Sequence, residues 1–265
     1  MKLTIGFIGA GNMGTAIMKG VAGCGLDAEL SAFDPDSAKL ETLQTSGVKA
    51  CKSGLEVLQS CKYVFLAVKP QMFDEVLEQI AQGVTKDTVL VSIAAGITAE
   101  YIRSKTISDA KVILVMPNTP LLLRAGASAL AKCEPTTDEE FSVIRRIFDA
   151  CGVTEEIAEN KMKEIIAVNG SSPAFIYLFA KAFVDYARKE NIPEQAALSL
   201  FAQSLVGSAE MLTKSGYSIE ELIKMVSSPG GTTLAGLDEL YKGNLEQTVQ
   251  NACESCTKRA YELSK

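Results

Sequence analysis

Gly9, Gly11 and Gly14 are spaced G-x-G-x-x-G in the run Gly9-Ala10-Gly11-Asn12-Met13-Gly14. That spacing suits the phosphates of a dinucleotide. The first glycine makes a tight turn, the second lets the backbone approach a pyrophosphate, and the third lets a helix pack close to a strand. An apolar run ending at Ile8 precedes the motif, and Ala16, Ile17 and Met18 follow it, so a strand should feed the turn and a helix leave it. The helix start then offers unpaired N–H groups and a partial positive charge to the anion. Asp34 stands twenty residues beyond Gly14. A carboxylate there can accept the ribose hydroxyls of NAD and would repel the 2′-phosphate of NADP. Asp34-Pro35-Asp36 would equally make a turn that caps the next helix. No arginine follows Asp34, which favours NADH, while Ser37 and Lys39 leave NADP(H) open. The expected cofactor is therefore NAD(P)H, held by Ile8, Gly9, Ala10, Gly11, Asn12, Met13, Gly14 and Asp34.

In an open α/β sheet the ligand lies outside the carboxyl ends of the strands, and three further strand ends carry unusual residues. Ala67-Val68-Lys69-Pro70 and the small residues Ala94, Ala95 and Gly96 are expected to border the cofactor. Asn118 sits between the two prolines of Met116-Pro117-Asn118-Thr119-Pro120, which restrict the loop and aim its amide at the ring or the substrate. The same residues would also serve simply to end a strand. Near the other end, Ser227-Ser228-Pro229-Gly230-Gly231-Thr232-Thr233 joins two helical patterns through two glycines and opens the second on two hydroxyls. Backbone N–H groups and hydroxyls at a helix start make an anion site that suits a carboxylate, or else a plain helix-capping loop.

These loops need elements to hold them. Strands are expected at Leu3–Ile8, Leu30–Phe33, Tyr63–Val68, Val89–Ser92, Lys111–Met116 and Ala127–Ala131, with helical patterns between them. That alternation predicts βαβ units and a mainly parallel sheet. Past residue 158 the β-branched runs give way to helical spacing, beginning with Lys161–Asn169 and Pro173–Glu190. The expectation is an α/β fold: a Rossmann-type doubly wound domain over 1–158, then an all-α domain over 159–265. Helices this apolar need a surface to pack against, which points to a shared homodimer core.

Composition excludes several classes. With a net charge of −6, a pI near 5.0 and no basic cluster, the surface would repel a phosphate backbone, so nucleic acid is not an expected partner. The seven cysteines are odd in number and scattered, which argues against a disulfide framework and for thiols in a reducing cytoplasm. Cys253-x-x-Cys256 has no second pair, and the chain has no histidine, so a metal site is not expected. The apolar stretch from Ile165 to Ala187 is broken by Asn169, Pro173, Lys181 and Asp185 and does not read as a membrane span.

Taken in order, several blocks resemble the Δ1-pyrroline-5-carboxylate reductase family over nearly the whole chain. They are Ile8–Gly14, Ala67–Pro70, Met116–Pro120, Gly170-Ser171-Ser172-Pro173-Ala174 and Ser228–Thr233, the last being the most specific. The chain departs from the family pattern at Leu114-Val115, where an arginine is common, at Lys181, where an acidic residue is usual, and at Gly54. The resemblance implies a cofactor domain followed by a helical domain that interlocks with a partner's, in a homodimer often built into a ring of five dimers. It implies an active site between one subunit's cofactor domain and its partner's helices. The reaction it implies is hydride transfer from NAD(P)H to the C=N bond of Δ1-pyrroline-5-carboxylate, giving proline. Asn118, Ser171, Gly230, Gly231, Thr232 and Thr233 would bind the substrate, its carboxylate held by backbone N–H groups of residues 230–232. Thr233 would act catalytically by hydrogen-bonding the ring nitrogen. A protonated imine already attracts hydride, so the lack of a histidine acid agrees with this chemistry. A β-hydroxyacid dehydrogenase with Lys181 as acid/base is a rival, but it leaves Ser228–Thr233 without a role. A non-enzymatic NAD(H) sensor would need a partner-binding or DNA-binding element, which the chain does not display.

Overall fold

The computed structural model describes residues 2–264. The chain divides into two compact units, Ser172–Glu254 and the remainder.

In the larger unit, β1 (Leu3–Ile8) leads through the glycine turn into α1 (Asn12–Gly23), followed by β2 (Ala28–Phe33), α2 (Ser37–Gln44), β3 (Lys49–Ala50), α3 (Gly54–Ser60) and β4 (Tyr63–Leu66). The chain continues through α4 (Phe73–Ile80), β5 (Val89–Ser92), α5 (Ala99–Lys105), β6 (Lys111–Met116), β7 (Gly126–Cys133), α6 (Asp138–Asp149) and β8 (Gly152–Glu156). The strands form one sheet in the order β3-β2-β1-β4-β5-β6-β7-β8, and every pair is parallel except β6 with β7. Successive strands are added outward in one direction from β1 and in the other from β4, and the switch between these two parallel strands is the place where an open α/β sheet leaves a crevice.

Side chains alternate across the strands and so build two apolar layers. Ile5, Phe7 and Phe65 join Ile17, Ile144 and Phe148 on one face, with the Phe7 and Phe65 rings stacked 4.5 Å apart. Ile8, Val64 and Leu66 join Val57, Leu77 and Ile102 on the other. Local signals set the helix starts. The Ser53 hydroxyl accepts from Glu56 N, the Thr98 hydroxyl from Tyr101 N, and Thr137 and Glu140 form a reciprocal capping box.

Three features depart from expectation. β3 has only two residues, too few for any period to register. β8 carries Val153 outward at 65% exposure and ends on two glutamates, so it offers no apolar run. The helix expected over Lys161–Asn169 is instead a 3-10 turn, Glu159–Lys161, and a π turn, Ile166–Gly170. That π turn is closed by Ser171 N donating to Ile166 O at 2.8 Å. The Asn169 side chain leaves the helical ladder to bond Met116 O and Ala127 O, which accounts for the widened turn.

The smaller unit contains α7 (Ser172–Lys189), α8 (Glu194–Lys214), α9 (Ile219–Met225), α10 (Thr232–Lys242) and the first part of α11 (Leu245–Glu262). A ring cluster joins α7 to α8, with Phe183 and Phe201 stacked at 4.2 Å and Phe179 beside them. Even so, α8, α9 and α10 contain no buried residue. The compact units divide at 171/172 rather than at 158/159, with residues 159–171 and the end of α11 in the larger one. Tyr261 on α11 donates to Glu164 Oε1 at 3.0 Å, and Lys163 Nζ lies 4.6 Å from the same ring.

Candidate active site

The three glycines of the turn play three distinct physical roles. Gly9 has φ +105°, and a Cβ there would stand 2.5 Å from Ala67 O. A Cβ on Gly14 would stand 2.7 Å from Gly9 O, so only glycine lets α1 start this close to the strand. A Cβ on Gly11 would meet nothing within 4 Å. No protein atom explains glycine there, whereas a pyrophosphate resting on the backbone does. Gly11 is also the N-cap of α1, with no side chain capping the first turn, so the N–H groups at the start of α1 face outward unclaimed. Ile8 and Ala10 are buried beneath the turn, while Asn12 is exposed at its edge.

Asp34 at the end of β2 is only 7% exposed. Its Oδ2 accepts from Ala10 N at 2.7 Å, and its Oδ1 accepts from Asp36 N at 3.0 Å and from Lys39 Nζ at 3.1 Å. Burial alone would raise its pKa, but the bonds from Ala10, Asp36 and Lys39 outweigh burial and hold the carboxyl below its ordinary value. Asp34 therefore ties the glycine turn to the β2–α2 loop. Three of roughly four acceptor positions are taken within the chain, leaving room for about one hydroxyl donor. This corrects the expectation of a carboxylate free to take both ribose hydroxyls, and Lys39 is paired with it.

The other predicted loops gather at the carboxyl ends of the strands. Ala67 follows β4 with its carbonyl oxygen 2.5 Å from where a Cβ on Gly9 would stand, while Pro70 opens a 3-10 turn, Pro70–Met72, with exposed Lys69 before it. Ala94, Ala95 and Gly96 follow β5, and Gly96 takes the left-handed φ of +79°. Ala95, Gly96 and Ser171 line one cavity of about 350 Å³ together with Cys256 and Arg259 of α11. The structure thus joins a predicted cofactor loop to a predicted substrate residue. The α11 residues were missed because they lie about 160 positions from Gly96 with no local motif to flag them.

Asn118 does more than expected. It is 8% exposed; its Nδ2 donates to Asn169 O at 3.2 Å and its Oδ1 accepts from Ala127 N at 2.9 Å. Asn169 in turn donates to Met116 O at 2.7 Å and Ala127 O at 3.0 Å. The two asparagines clasp the end of β6, the start of β7 and the π turn before Ser171. One N–H and one acceptor position of the Asn118 amide are used in this clasp, which gives the side chain a positioning role beside the expected one at the substrate.

In the smaller unit, Gly230 has φ +72° and Gly231 is the N-cap of α10, with no side-chain cap. Gly231 N donates to Ser228 O at 2.9 Å, which removes it from the set of N–H groups expected to hold a carboxylate. A Cβ on Gly231 would come 2.6 Å from Ser228 Oγ, which explains the glycine by packing within the turn. Thr232 and Thr233 are exposed at the first turn of α10.

Comparison with known proteins finds matches in both halves of the chain. Residues 159–263 match a family model described as pyrroline-5-carboxylate reductase dimerisation, and residues 4–96 match one described as NADP oxidoreductase coenzyme F420-dependent. The chain is 36% identical to pyrroline-5-carboxylate reductase of Escherichia coli, with 100% of both chains covered. It is 36% identical to pyrroline-5-carboxylate reductase 3 of Bos taurus, covering 98% of this chain and 85% of that one. The structure superposes on a pyrroline-5-carboxylate reductase from Coxiella burnetii with a TM-score of 0.91 at 30% identity and full coverage of both. A Plasmodium falciparum pyrroline carboxylate reductase with NADP bound gives 0.89 at 28% identity, covering 99% of this chain and 98% of that one. A full-length match of this kind, over a glycine turn shaped for a dinucleotide, places the chain in the pyrroline-5-carboxylate reductase family.

Proposed function

We propose that this protein reduces Δ1-pyrroline-5-carboxylate to proline with NAD(P)H, the last step of proline biosynthesis. The observation that carries the reading is end-to-end similarity to reductases of that name, joined to a turn whose central glycine faces open space. When bound, the reduced nicotinamide supplies the hydride that saturates the C=N bond. The chain's own work is positioning. Gly9, Gly11 and Gly14 keep the backbone low, and the start of α1 offers N–H groups to the pyrophosphate. Ala94, Ala95 and Gly96 present little side chain at the carboxyl end of β5, as close approach of a flat ring requires. Ser171 borders the same cavity, with the Asn118–Asn169 clasp fixing its turn. The exposed hydroxyl of Thr233 holds the ring nitrogen, and the N–H groups of Gly230 and Thr232 hold the carboxylate. Holding the reacting atoms within about 3–3.5 Å supplies much of the rate enhancement for such a transfer.

Both cofactors are accepted in this reading, with NADH favoured because a 2′-phosphate would meet the ionised Asp34. The exposed apolar side chains of the smaller unit, among them Leu200 at 71%, Tyr177 at 62% and Val226 at 67%, support a homodimer that covers them. A ring of five dimers is the larger assembly expected. No helix among the described residues is long and apolar enough to cross a membrane, and the cysteines are free thiols, which supports a cytoplasmic site of action.

The test is direct. Purified protein, substrate and either reduced cofactor are mixed, and loss of reduced-nicotinamide absorbance is followed. Turnover with a higher kcat/KM for NADH is expected, narrowing in Asp34→Ser. No turnover with either cofactor would refute the proposal. Light scattering after size exclusion reads the assembly, and a monomer at micromolar concentration would refute the dimer.

A further inference from the structure

The helix α1 carries one charged residue, Lys19, among small and apolar side chains. Asn12, Thr15 and Lys19 lie on one face of it, at i, i+3 and i+7. Across from that face runs the 3-10 turn Thr119–Leu123, which ends at Arg124. The two segments enclose a cavity of about 340 Å³, lined by Asn12, Thr15, Lys19, Leu121, Arg124 and Cys151 among others, with no acidic side chain in its wall. Its volume falls within the range of small-molecule sites, roughly 300–1,000 Å³.

Two observations give this cavity a purpose beyond packing. In a chain of net charge −6, Lys19 and Arg124 both lack an ion-pair partner among the described residues. Arg124 also adopts φ 58° and ψ 29°, a left-handed conformation that a side chain with a Cβ resists. Glycine would end that turn at ease, so the backbone alone does not call for arginine; such strain gathers where function demands a particular side chain. The wall is rigid on the α1 side. A Cβ on Gly20 would stand 2.1 Å from Cys151 Sγ, so α1 is locked against the buried Cys151. Burial raises the Cys151 thiol pKa and the Arg124 charge opposes the rise, which puts the guanidinium within electrostatic reach of that wall.

We propose that this cavity is a second anion site, distinct from the glycine turn, and that it takes a small phosphate-bearing anion between Lys19 and Arg124. A guanidinium fork suits two oxygens of a tetrahedral oxyanion, and an ammonium supplies the opposing point charge. Asn12 and Thr15 border both this cavity and the first turn of α1, so an anion here lies beside the dinucleotide site without occupying it.

The experiment is calorimetric titration of inorganic phosphate into the full-length protein at low ionic strength, with and without saturating NADP⁺. The dinucleotide displaces any phosphate that merely occupies the glycine turn. One phosphate per chain is expected to remain bound when NADP⁺ saturates the glycine turn. Arg124→Gly and Lys19→Gln should each weaken it at least fivefold, with the Arg124→Gly melting temperature equal to or above wild type because the left-handed turn is relieved. Loss of the phosphate signal in the presence of NADP⁺, unaltered binding in both variants, or no saturable binding at all would overturn the proposal.

Discussion

Gly11 and Gly14 belong to one motif but answer to different forces, and alanine at each should separate them. Gly11 has φ −70° and ψ −178°, which alanine adopts freely, and its added methyl would meet no atom within 4 Å. Rigidifying the unfolded chain favours Gly11→Ala by about 0.4–1 kcal/mol, and the poorer N-cap opposes this by a similar few tenths to one. The melting temperature should therefore stay within about 2 °C of wild type. The methyl would stand where a pyrophosphate must approach the backbone. Losing one or two charge-assisted bonds, at about 1.5–3 kcal/mol each, predicts roughly 2–4 kcal/mol, or about 30- to 1000-fold weaker cofactor binding. Gly14→Ala instead drives its Cβ to 2.7 Å from Gly9 O and 3.3 Å from the Ala67 side chain. Overpacking against backbone costs roughly 1–3 kcal/mol, so Gly14→Ala should lower both the melting temperature and cofactor affinity. Titration of NADPH by fluorescence, with calorimetric melting of each variant, measures both quantities. A Gly11→Ala protein that binds NADPH like wild type, or that loses many degrees of stability, would refute the argument.

Three more outcomes follow from the site. Asn118→Ala leaves the Ala127 N–H without its acceptor and should cost about 1–3 kcal/mol by denaturant unfolding; an unchanged midpoint would show the clasp to be idle. Thr233→Ala should lower kcat/KM by about 10- to 1000-fold without altering the melting temperature, and wild-type kinetics would remove Thr233 from the mechanism. Asp34 and Glu140 both have folded pKa values below their ordinary ones: in each, burial opposes the shift and hydrogen-bonding partners outweigh it, Ala10, Asp36 and Lys39 for the first, Lys111, Thr137 and Lys62 for the second. Groups depressed on folding contribute stability that is present above their unfolded values, about 3.9 and 4.3, and lost as pH falls through the folded ones. Melting temperature should accordingly drop below about pH 4, more gently in Glu140→Gln than in wild type, and equal slopes in the two proteins would contradict the assignment.

The alternating pattern in the first 158 residues was legible because the strands expected there alternate or run apolar through a buried layer, as Ile5, Phe7 and Ile8 do across the two faces. The glycine turn was legible for the same local reason, since strand, turn and helix are contiguous. What escaped was built from distant pieces. β3 has two residues and gains its identity only by pairing Ser31 and Ala32 with Lys49 and Ala50. The π turn at Ile166–Gly170 exists because Asn169 finds carbonyl oxygens some 42 and 53 residues earlier. The two prolines around Asn118 showed a restricted loop, but not that its amide would bond Ala127 N and Asn169 O.

By itself, the order of residues determined the dinucleotide turn, the α/β character of the first unit and the helical character of the second, because each depends on spacing within a few residues. Only the tertiary structure decided what the polar side chains do. Asp34 became a tie between two loops, Asn118 a clasp, and Gly231 a packing glycine whose N–H is already taken. A buried donor or acceptor must pair with whatever the fold brings within about 3 Å, and sequence distance carries no record of that.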